Sequence, residues 1–310
     1  MGSTSTPKTW LITGASQGLG LAMTLAALNA GHKVIAGARD PVKAAKSSPD
    51  VEKLGGQWLK LDVDSTDTKQ VVSKASEDVG GFDVVVNNAG YFPAGTIEDM
   101  EEDEMQAAFN TMFWGPIRVL KGALPSMRAR KSGIIIYIGS IFGFYPCPTG
   151  AMYTSPKAAA EMLQSTLGVE LAPFNIRTIT INAGLYRTNV MTNTKMPAAG
   201  FNEAYMTSGG ILPDVMGTVG KIIQDPESNM PGDPAKFGAR IVDIVDGTGW
   251  GAGQEKRSNF LFGRDAVKMS SQKMQWLTED FNATRDLAYS TDFEGSTSDG
   301  VAVVADMIQK

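Results

Sequence analysis

The stretch Thr13-Gly14-Ala15-Ser16-Gln17-Gly18-Leu19-Gly20 stands between an apolar run, Trp10-Leu11-Ile12, and a segment rich in Leu and Ala that reaches Ala30. A buried strand, a tight glycine turn and a helix N-terminus, in that order, make a preformed anion site. Free backbone N–H groups and the positive end of the helix dipole converge on one point. Gly14 permits the turn, Gly18 lets the backbone approach a pyrophosphate, and Gly20 allows close packing of helix on strand. The glycines are spaced three residues and then one, which differs from the G-x-G-x-x-G of the standard dinucleotide fingerprint.

Outward from this turn the pattern repeats. Residues 33–36, 57–63, 83–87, 133–139, 176–182 and 258–262 read as further strands without polar alternation. Helical stretches near 41–54, 66–79, 100–130, 153–172, 233–245 and 265–287 separate or follow them. Apolar strands alternating with helices predict an α/β fold: a doubly wound (Rossmann) parallel sheet with helices on both faces. Residues 8–290 read as one domain, flanked by tails at 1–7 and 291–310. Within it, 186–231 has no clear period and is expected to form a substrate lid. The last helix is expected as a charged, amphipathic extension.

Composition narrows the function. The 310 residues are 43% apolar and carry a net charge of −5, so no basic patch points to nucleic acid or an anionic membrane. No run of eighteen apolar residues predicts a spanning helix. The polar start at residues 1–6 predicts no secretory address, so the expected location is cytoplasmic. That start also fits the loose myristoylation pattern, and is read as a solvated tail. One histidine and one cysteine, His32 and Cys147, leave too few ligands for a zinc site and exclude an intrachain disulfide. His32 lies in a tight turn before the second strand and reads as a surface residue, which removes a Ser-His-Asp system.

About twenty residues beyond the turn, an NAD-binding protein offers an acidic residue to the ribose. Here the second strand ends Ala36-Gly37-Ala38-Arg39-Asp40. With Ala38 at the strand end and Arg39 next, a guanidinium can grip a 2′-phosphate in bidentate fashion, helped by Ser16 and Lys43. NADP(H) is therefore favoured over NAD. Asp40 is the competing feature, since it can pair with Arg39 or with a ribose.

Four further motifs carry a family resemblance. Asn87-Asn88-Ala89-Gly90 follows the fourth strand. Ser140 follows the fifth, Tyr153-Thr154-Ser155-Pro156-Lys157 comes thirteen residues later, and Asn110 lies in the long helix before them. With the T-G-x-x-x-G-x-G turn, the chain resembles a short-chain dehydrogenase/reductase over about its first 190 residues. Its last third resembles, more loosely, a hydroxysteroid-dehydrogenase-like branch common among fungal oxidoreductases. The resemblance implies catalytic roles for Asn110, Ser140, Tyr153 and Lys157, with Asn110 holding a water that links Lys157 to solvent. It implies cofactor contacts from Gly14, Ser16, Gln17, Gly18, Leu19, Gly20, Arg39, Asp62, Val63, Asn88, Ala89, Gly90, Tyr153, Lys157, Gly184 and Thr188. Asp62 reads equally well as an N-cap with Asp64 and Ser65. Where the family usually has Pro-Gly after the sixth strand, this chain reads Asn182-Ala183-Gly184.

The chemistry of these residues agrees. Tyr153 and Lys157 are four apart and share a helix face. An ammonium one turn away, together with the positive nicotinamide, is expected to bring the phenol, ordinarily near pKa 10, toward working range. Pro156 is expected in the first helical turn, where its missing N–H costs little. The Ser140 hydroxyl can stabilise a developing alkoxide. The expected reaction is hydride transfer between NADP(H) and a carbonyl/alcohol couple.

Phe92, Ile141, Phe142, Phe144, Tyr145, Leu185, Tyr186, Phe201 and Tyr205 are expected as apolar pocket walls for a bulky neutral substrate. Cys147, between two prolines, either borders that pocket or packs inertly. Competing readings are a cofactor-binding enzyme of secondary metabolism running dehydration, epimerisation or cyclisation, and a non-catalytic nucleotide-sensing scaffold. The helices at 100–130 and 153–172 are the family's usual subunit contacts, so a homodimer or homotetramer is expected.

Overall fold

Runs of β-branched and aromatic residues that lack polar alternation form the strands, because both of their faces are covered. The computed structural model describes residues 6–207 and 209–295. In it β1 (Thr9–Ile12), β2 (Lys33–Ala38), β3 (Gln57–Lys60), β4 (Val84–Asn87), β5 (Gly133–Ile138), β6 (Ile176–Ala183) and β7 (Asn259–Phe262) make one parallel sheet in the order β3-β2-β1-β4-β5-β6-β7. The order reverses between β1 and β4, where a doubly wound sheet opens a ligand crevice. Register levels the carboxyl ends: Ile12 lies beside Ala36 and Val86, Asn87 beside Tyr137, and Ile138 beside Ile181. Thr13, Asn88, Ser140 and Gly184 thus emerge along one edge.

The helices in chain order are α1 (Gly18–Asn29), α2 (Pro41–Ser47), α3 (Asp50–Lys53), α4 (Thr68–Asp78), α5 (Glu102–Phe109), α6 (Gly115–Arg130), α7 (Ala151–Leu171), α8 (Glu203–Met206), α9 (Ile211–Gln224), α10 (Pro226–Asn229), α11 (Pro234–Asp246) and α12 (Arg264–Tyr289). One face of the sheet packs Trp10, Ile12, Val86, Ile136 and Ile179 against Met23 of α1 and Phe237 of α11. The other packs Leu11, Val85 and Ile135 against Val72 of α4 and Val119 and Met127 of α6. Each such side chain contributes about 1.5–3 kcal/mol on full burial. Among the described residues no helix is long and apolar enough to cross a membrane.

Several elements differ from the sequence expectation. The helix expected over 41–54 breaks at Ser48, because Pro49 forces its predecessor out of helical conformation. The helix expected over 100–130 is interrupted by a π-turn at Asn110–Trp114, where the Gly115 N–H reaches back to the Asn110 carbonyl. Pro116, with no N–H of its own, makes the ordinary i→i−4 pattern impossible one residue later. Helix α7 starts two residues before Tyr153, so Pro156 sits in the second turn. Its missing N–H withdraws the usual donor from the Met152 carbonyl. Among its described residues the lid region holds three helices, the longest being α9. The tails at 1–5 and 296–310 lie outside the described residues.

His32 is not a surface residue. It is 4% exposed and its ring lies 5.5 Å from that of Trp10. The Lys8 N–H donates to its Nδ1 at 3.2 Å, and its Nε2 lies 3.1 Å from Asp246 Oδ2. The Lys8 ammonium meets the other Asp246 oxygen at 2.7 Å. The tight turn therefore tucks the imidazole under β1 and against the end of α11. Burial pushes its pKa below the usual value, against the pull of Asp246.

Candidate active site

The glycine turn is built as a cradle. Gly14 and Gly18 have φ of +64° and +56°, and a Cβ on Gly20 would stand 2.2 Å from the Gly14 carbonyl oxygen. Asn88 braces the turn, donating from Nδ2 to the carbonyls of Thr13 and Gly14 at 2.9 and 3.2 Å. The backbone N–H groups of Asn88 and Ala89 both donate to Thr13 Oγ1. Ser16 is half-buried and Gln17 exposed on the loop, and α1 begins at Gly18. The first N–H groups of that helix have no intrahelical acceptor, so Gly18, Leu19 and Gly20 offer them to the crevice.

Arg39 stands exposed at the end of β2, beside buried Ala38. Among the described residues no ion pair joins Asp40 to it. Its carboxylate caps α2 instead, accepting the Lys43 N–H at 2.9 Å. Asp62 is exposed and closes its own turn by accepting the Asp64 N–H at 3.1 Å. It does not cap the following helix, which starts only at Thr68. Val63 is buried, and its carbonyl accepts from Arg118 Nη1 at 3.1 Å.

At the ends of β5 and the start of α7, Ser140, Tyr153 and Lys157 come together. Tyr153 faces Ser140, whose Oγ accepts the Phe142 N–H at 3.2 Å. Lys157 is 5% exposed, with its Nζ 5.8 Å from the Tyr153 ring centre and 5.1 Å from that of Tyr137. Burial pushes the Tyr153 pKa above the ordinary phenol value, while the Ser140 hydroxyl opposes it. Lys157 is not among the groups that move this pKa, so the lowering expected from its ammonium is not found in the protein itself. Burial holds Lys157 down to about 8. Gly90 lies at the same place: a Cβ there would be 3.8 Å from Lys157 Nζ.

Asn110 opens the π-turn, and its side chain is held by two hydrogen bonds. Its Nδ2 donates to the Asp64 carbonyl at 3.2 Å, and its Oδ1 accepts from Arg118 Nη2 at 2.7 Å. The side-chain amide is therefore engaged on the adenine-edge loop.

The expected pocket walls divide. Phe92 meets Tyr153 with ring centres 4.8 Å apart. Phe142, Phe144, Leu185 and Phe201 are half-buried, whereas Ile141 is fully buried. Tyr145 turns outward to α12, donating its hydroxyl to Gln272 at 2.8 Å and stacking on Trp276. Tyr186 packs its ring on Phe237 in the core, and Tyr205 lies beside Glu98, whose charge pushes the phenol up. Cys147 is half-buried close to Tyr153, and burial raises its thiol to about 11.

The lid is stitched to the rim. The Lys195 N–H donates to the Phe92 carbonyl at 3.0 Å, and the Asn202 N–H donates to buried Asp99 at 2.6 Å.

The most consequential residue missing from the sequence reading is Asp265. Its Oδ2 accepts the Leu185 N–H at 2.6 Å, and a Cβ on Gly184 would overlap Oδ1 at 2.1 Å. This carboxylate shapes the turn in which the family's proline is missing. That turn carries Thr188 over the cradle, 3.5 Å from where a Gly18 Cβ would stand. The available signal was an Asp at a helix start directly after the last strand. Among the described residues no cluster of His, Cys, Asp and Glu is suited to a metal.

Comparison with known proteins matches this geometry. The family model described as short chain dehydrogenase matches residues 8–198. An oxidoreductase of Passalora fulva, claN, is 46% identical over 195 residues, covering 61% of this chain and 87% of its own. A short-chain dehydrogenase from Streptomyces avermitilis superposes with a TM-score of 0.77 at 30% identity, covering 93% of this chain and all of that one. An L-sorbose reductase from Gluconobacter frateurii, solved with NADPH and L-sorbose, superposes with a TM-score of 0.66 at 26% identity, covering 84% and 95%.

Proposed function

The chain belongs to the short-chain dehydrogenase family, and we propose that it is an NADP(H)-dependent oxidoreductase interconverting a ketone or aldehyde and an alcohol on a bulky, largely apolar small molecule. The observation that carries this reading is the meeting of Ser140, Tyr153 and Lys157 at the carboxyl edge of the sheet, beside the glycine cradle. A nicotinamide dinucleotide fits the residues present. The cradle has no room for a side chain at Gly20, its helix offers free N–H groups, and Arg39 stands exposed where a 2′-phosphate would lie. Asp62, Val63, Gly90, Gly184 and Thr188 would hold the remaining parts. The cofactor, when bound, supplies or accepts the hydride.

The chain's own groups handle the proton and the carbonyl. The Ser140 hydroxyl orients the substrate oxygen and stabilises negative charge on it. Tyr153, protonated because burial favours the phenol, donates its Oη proton to that oxygen during reduction. The buried Lys157 ammonium favours the phenolate left behind. Phe92 on Tyr153, with Phe142 and Phe144 nearby, supports an apolar substrate. We further propose that α5–α6 and α7 form a homodimer or homotetramer contact.

The test is NADPH oxidation with a panel of bulky and small ketones. Tyr153→Phe is expected to cut turnover by about 10²–10⁴-fold. Arg39→Ala is expected to erase the preference for NADPH over NADH. Unchanged turnover in the first variant would remove the catalytic reading, and unchanged preference in the second would remove NADP(H). If bulky ketones are reduced no faster than small ones, the substrate class is wrong.

A further inference from the structure

The outer half of α12 is a large feature of the fold that the site does not use. Its root packs on the body through buried Ala266 and Ser270 and through Gln272 and Trp276 on Tyr145. From Met274 to Tyr289 every residue is exposed. That face is not polar all round. Met274, Leu277 and Phe281 follow at three and four residues, the spacing of a coiled-coil seam, which continues through the polar Thr284 to Ala288. Met274, Phe281 and the flanking Leu287 are 54%, 60% and 70% exposed. Val267, also exposed, extends the seam one heptad toward the root.

Charge along the helix says what covers the seam. The root carries Arg264, Lys268 and Lys273, while its one carboxylate, Asp265, is turned inward to Leu185. The tip carries Glu279, Asp280 and Asp286 against Arg285 alone, and Asp292 and Glu294 follow. Laid antiparallel, the acidic tip of one helix runs along the basic root of another, and the two macrodipoles oppose favourably. Laid parallel, the acidic tips would face each other. Lys273 and Asp280 are one heptad apart on the same flank, so an antiparallel pair centred near Leu277 sets each opposite the other, twice by symmetry.

We propose that two copies of this chain pair antiparallel through the exposed seam of α12, with Leu277 near the two-fold axis. This surface is separate from the α5–α6 and α7 faces, and the pairing does not depend on the chemistry assigned above.

The experiment uses the full chain with Cys147→Ser, which removes its one native thiol. Leu277→Cys is expected to cross-link into a disulfide dimer on mild oxidation. Leu287→Cys is expected not to, because ten residues from the axis at 1.5 Å per residue separates the two thiols by about 30 Å. In sedimentation, Leu277→Lys with Phe281→Asp is expected to halve the assembly mass. Lys273→Glu is expected to weaken association at least tenfold, and Lys273→Glu with Asp280→Lys to restore it. Cross-linking at both positions would mean a parallel pair and overturn the proposal, as would cross-linking at neither. Loss of association on deleting residues 296–310 would assign the seam to that segment. Binding of a monomer to phosphatidylserine vesicles without the Leu277→Cys cross-link would assign it to a lipid surface. Either result also overturns the pairing.

Discussion

Lys157 donates from Nζ to the carbonyl oxygen of Ile138 at 2.7 Å, which fastens the second turn of α7 to the last residue of β5. The bond holds a buried cation beside Tyr153 and fixes the distance between the two elements that carry Ser140 and Tyr153.

The pH profile follows from this buried amine. Lys157 is charged below about 8 and neutral above it. Reduction measured as kcat/KM is expected to be level near neutrality and to fall about tenfold per pH unit well above 8. Lys157→Arg, whose guanidinium stays charged, is expected to remove that limb at a lower overall rate. Stability moves the other way. Between about 8 and the ordinary lysine value of roughly 10.4 the unfolded chain binds more protons, so native stability rises with pH across that window. Thermal unfolding at pH 7.5 and 9.5, compared with Lys157→Met, checks the sign.

Asp265 and Gly184 form the second test. Asp265→Ala leaves the Leu185 N–H without its acceptor and is expected to cost about 1.5–3 kcal/mol of stability, with a raised KM for NADPH. Gly184→Ala drives a methyl into the same carboxylate and is expected to be worse. In the combined variant the clash is gone, so adding Gly184→Ala to Asp265→Ala should cost less than Gly184→Ala does alone. Urea unfolding of the three variants reads the coupling directly.

Gly20→Ala is expected to weaken NADPH binding at least tenfold. The new methyl meets backbone, the Gly14 carbonyl, so the cradle itself must move. Fluorescence titration with NADPH measures the loss, and far-ultraviolet circular dichroism is expected to remain near that of the parent protein.

His32 gives the acid limb of stability. Its native pKa lies below the unfolded value of about 6.5, so the unfolded chain takes up the proton first as pH falls. Stability is therefore full above about 6.5 and declines below it, toward the native pKa. His32→Gln is expected to flatten the melting temperature between pH 7 and pH 5.5, measured by calorimetry.

Local chemistry made much of this molecule readable from its sequence. The glycine turn, Asn87 to Gly90 and the Tyr153–Lys157 pair each depend on neighbours within a few residues, so their spacing carries their geometry. His32 and Asp265 depend on partners 214 and 80 residues away, and no local pattern announces such pairs. Arg118 was silent because its value lies in reaching Asn110 across a π-turn that the helical period conceals. Helix α9 has a regular apolar face, but Pro213, Gly217 and Gly220 lower its propensity enough to read as loop. The outward turn of Tyr145 depends on α12, whose position the sequence does not announce.

The pairing of β6 with β7 has a consequence for protein engineering. The Gly184 N–H bonds the Phe262 carbonyl at 2.8 Å, and Asp265 then meets Leu185 three residues further on. The wall of the nicotinamide side is therefore encoded in two places, and the second lies well beyond residue 198, where the family pattern ends. A chimera that grafts the amino-terminal two-thirds of this chain onto a relative's tail inherits the turn at 184–188 without the strand and carboxylate that align it. Exchange between relatives succeeds only if residues 184–188 and 259–265 travel as one cassette.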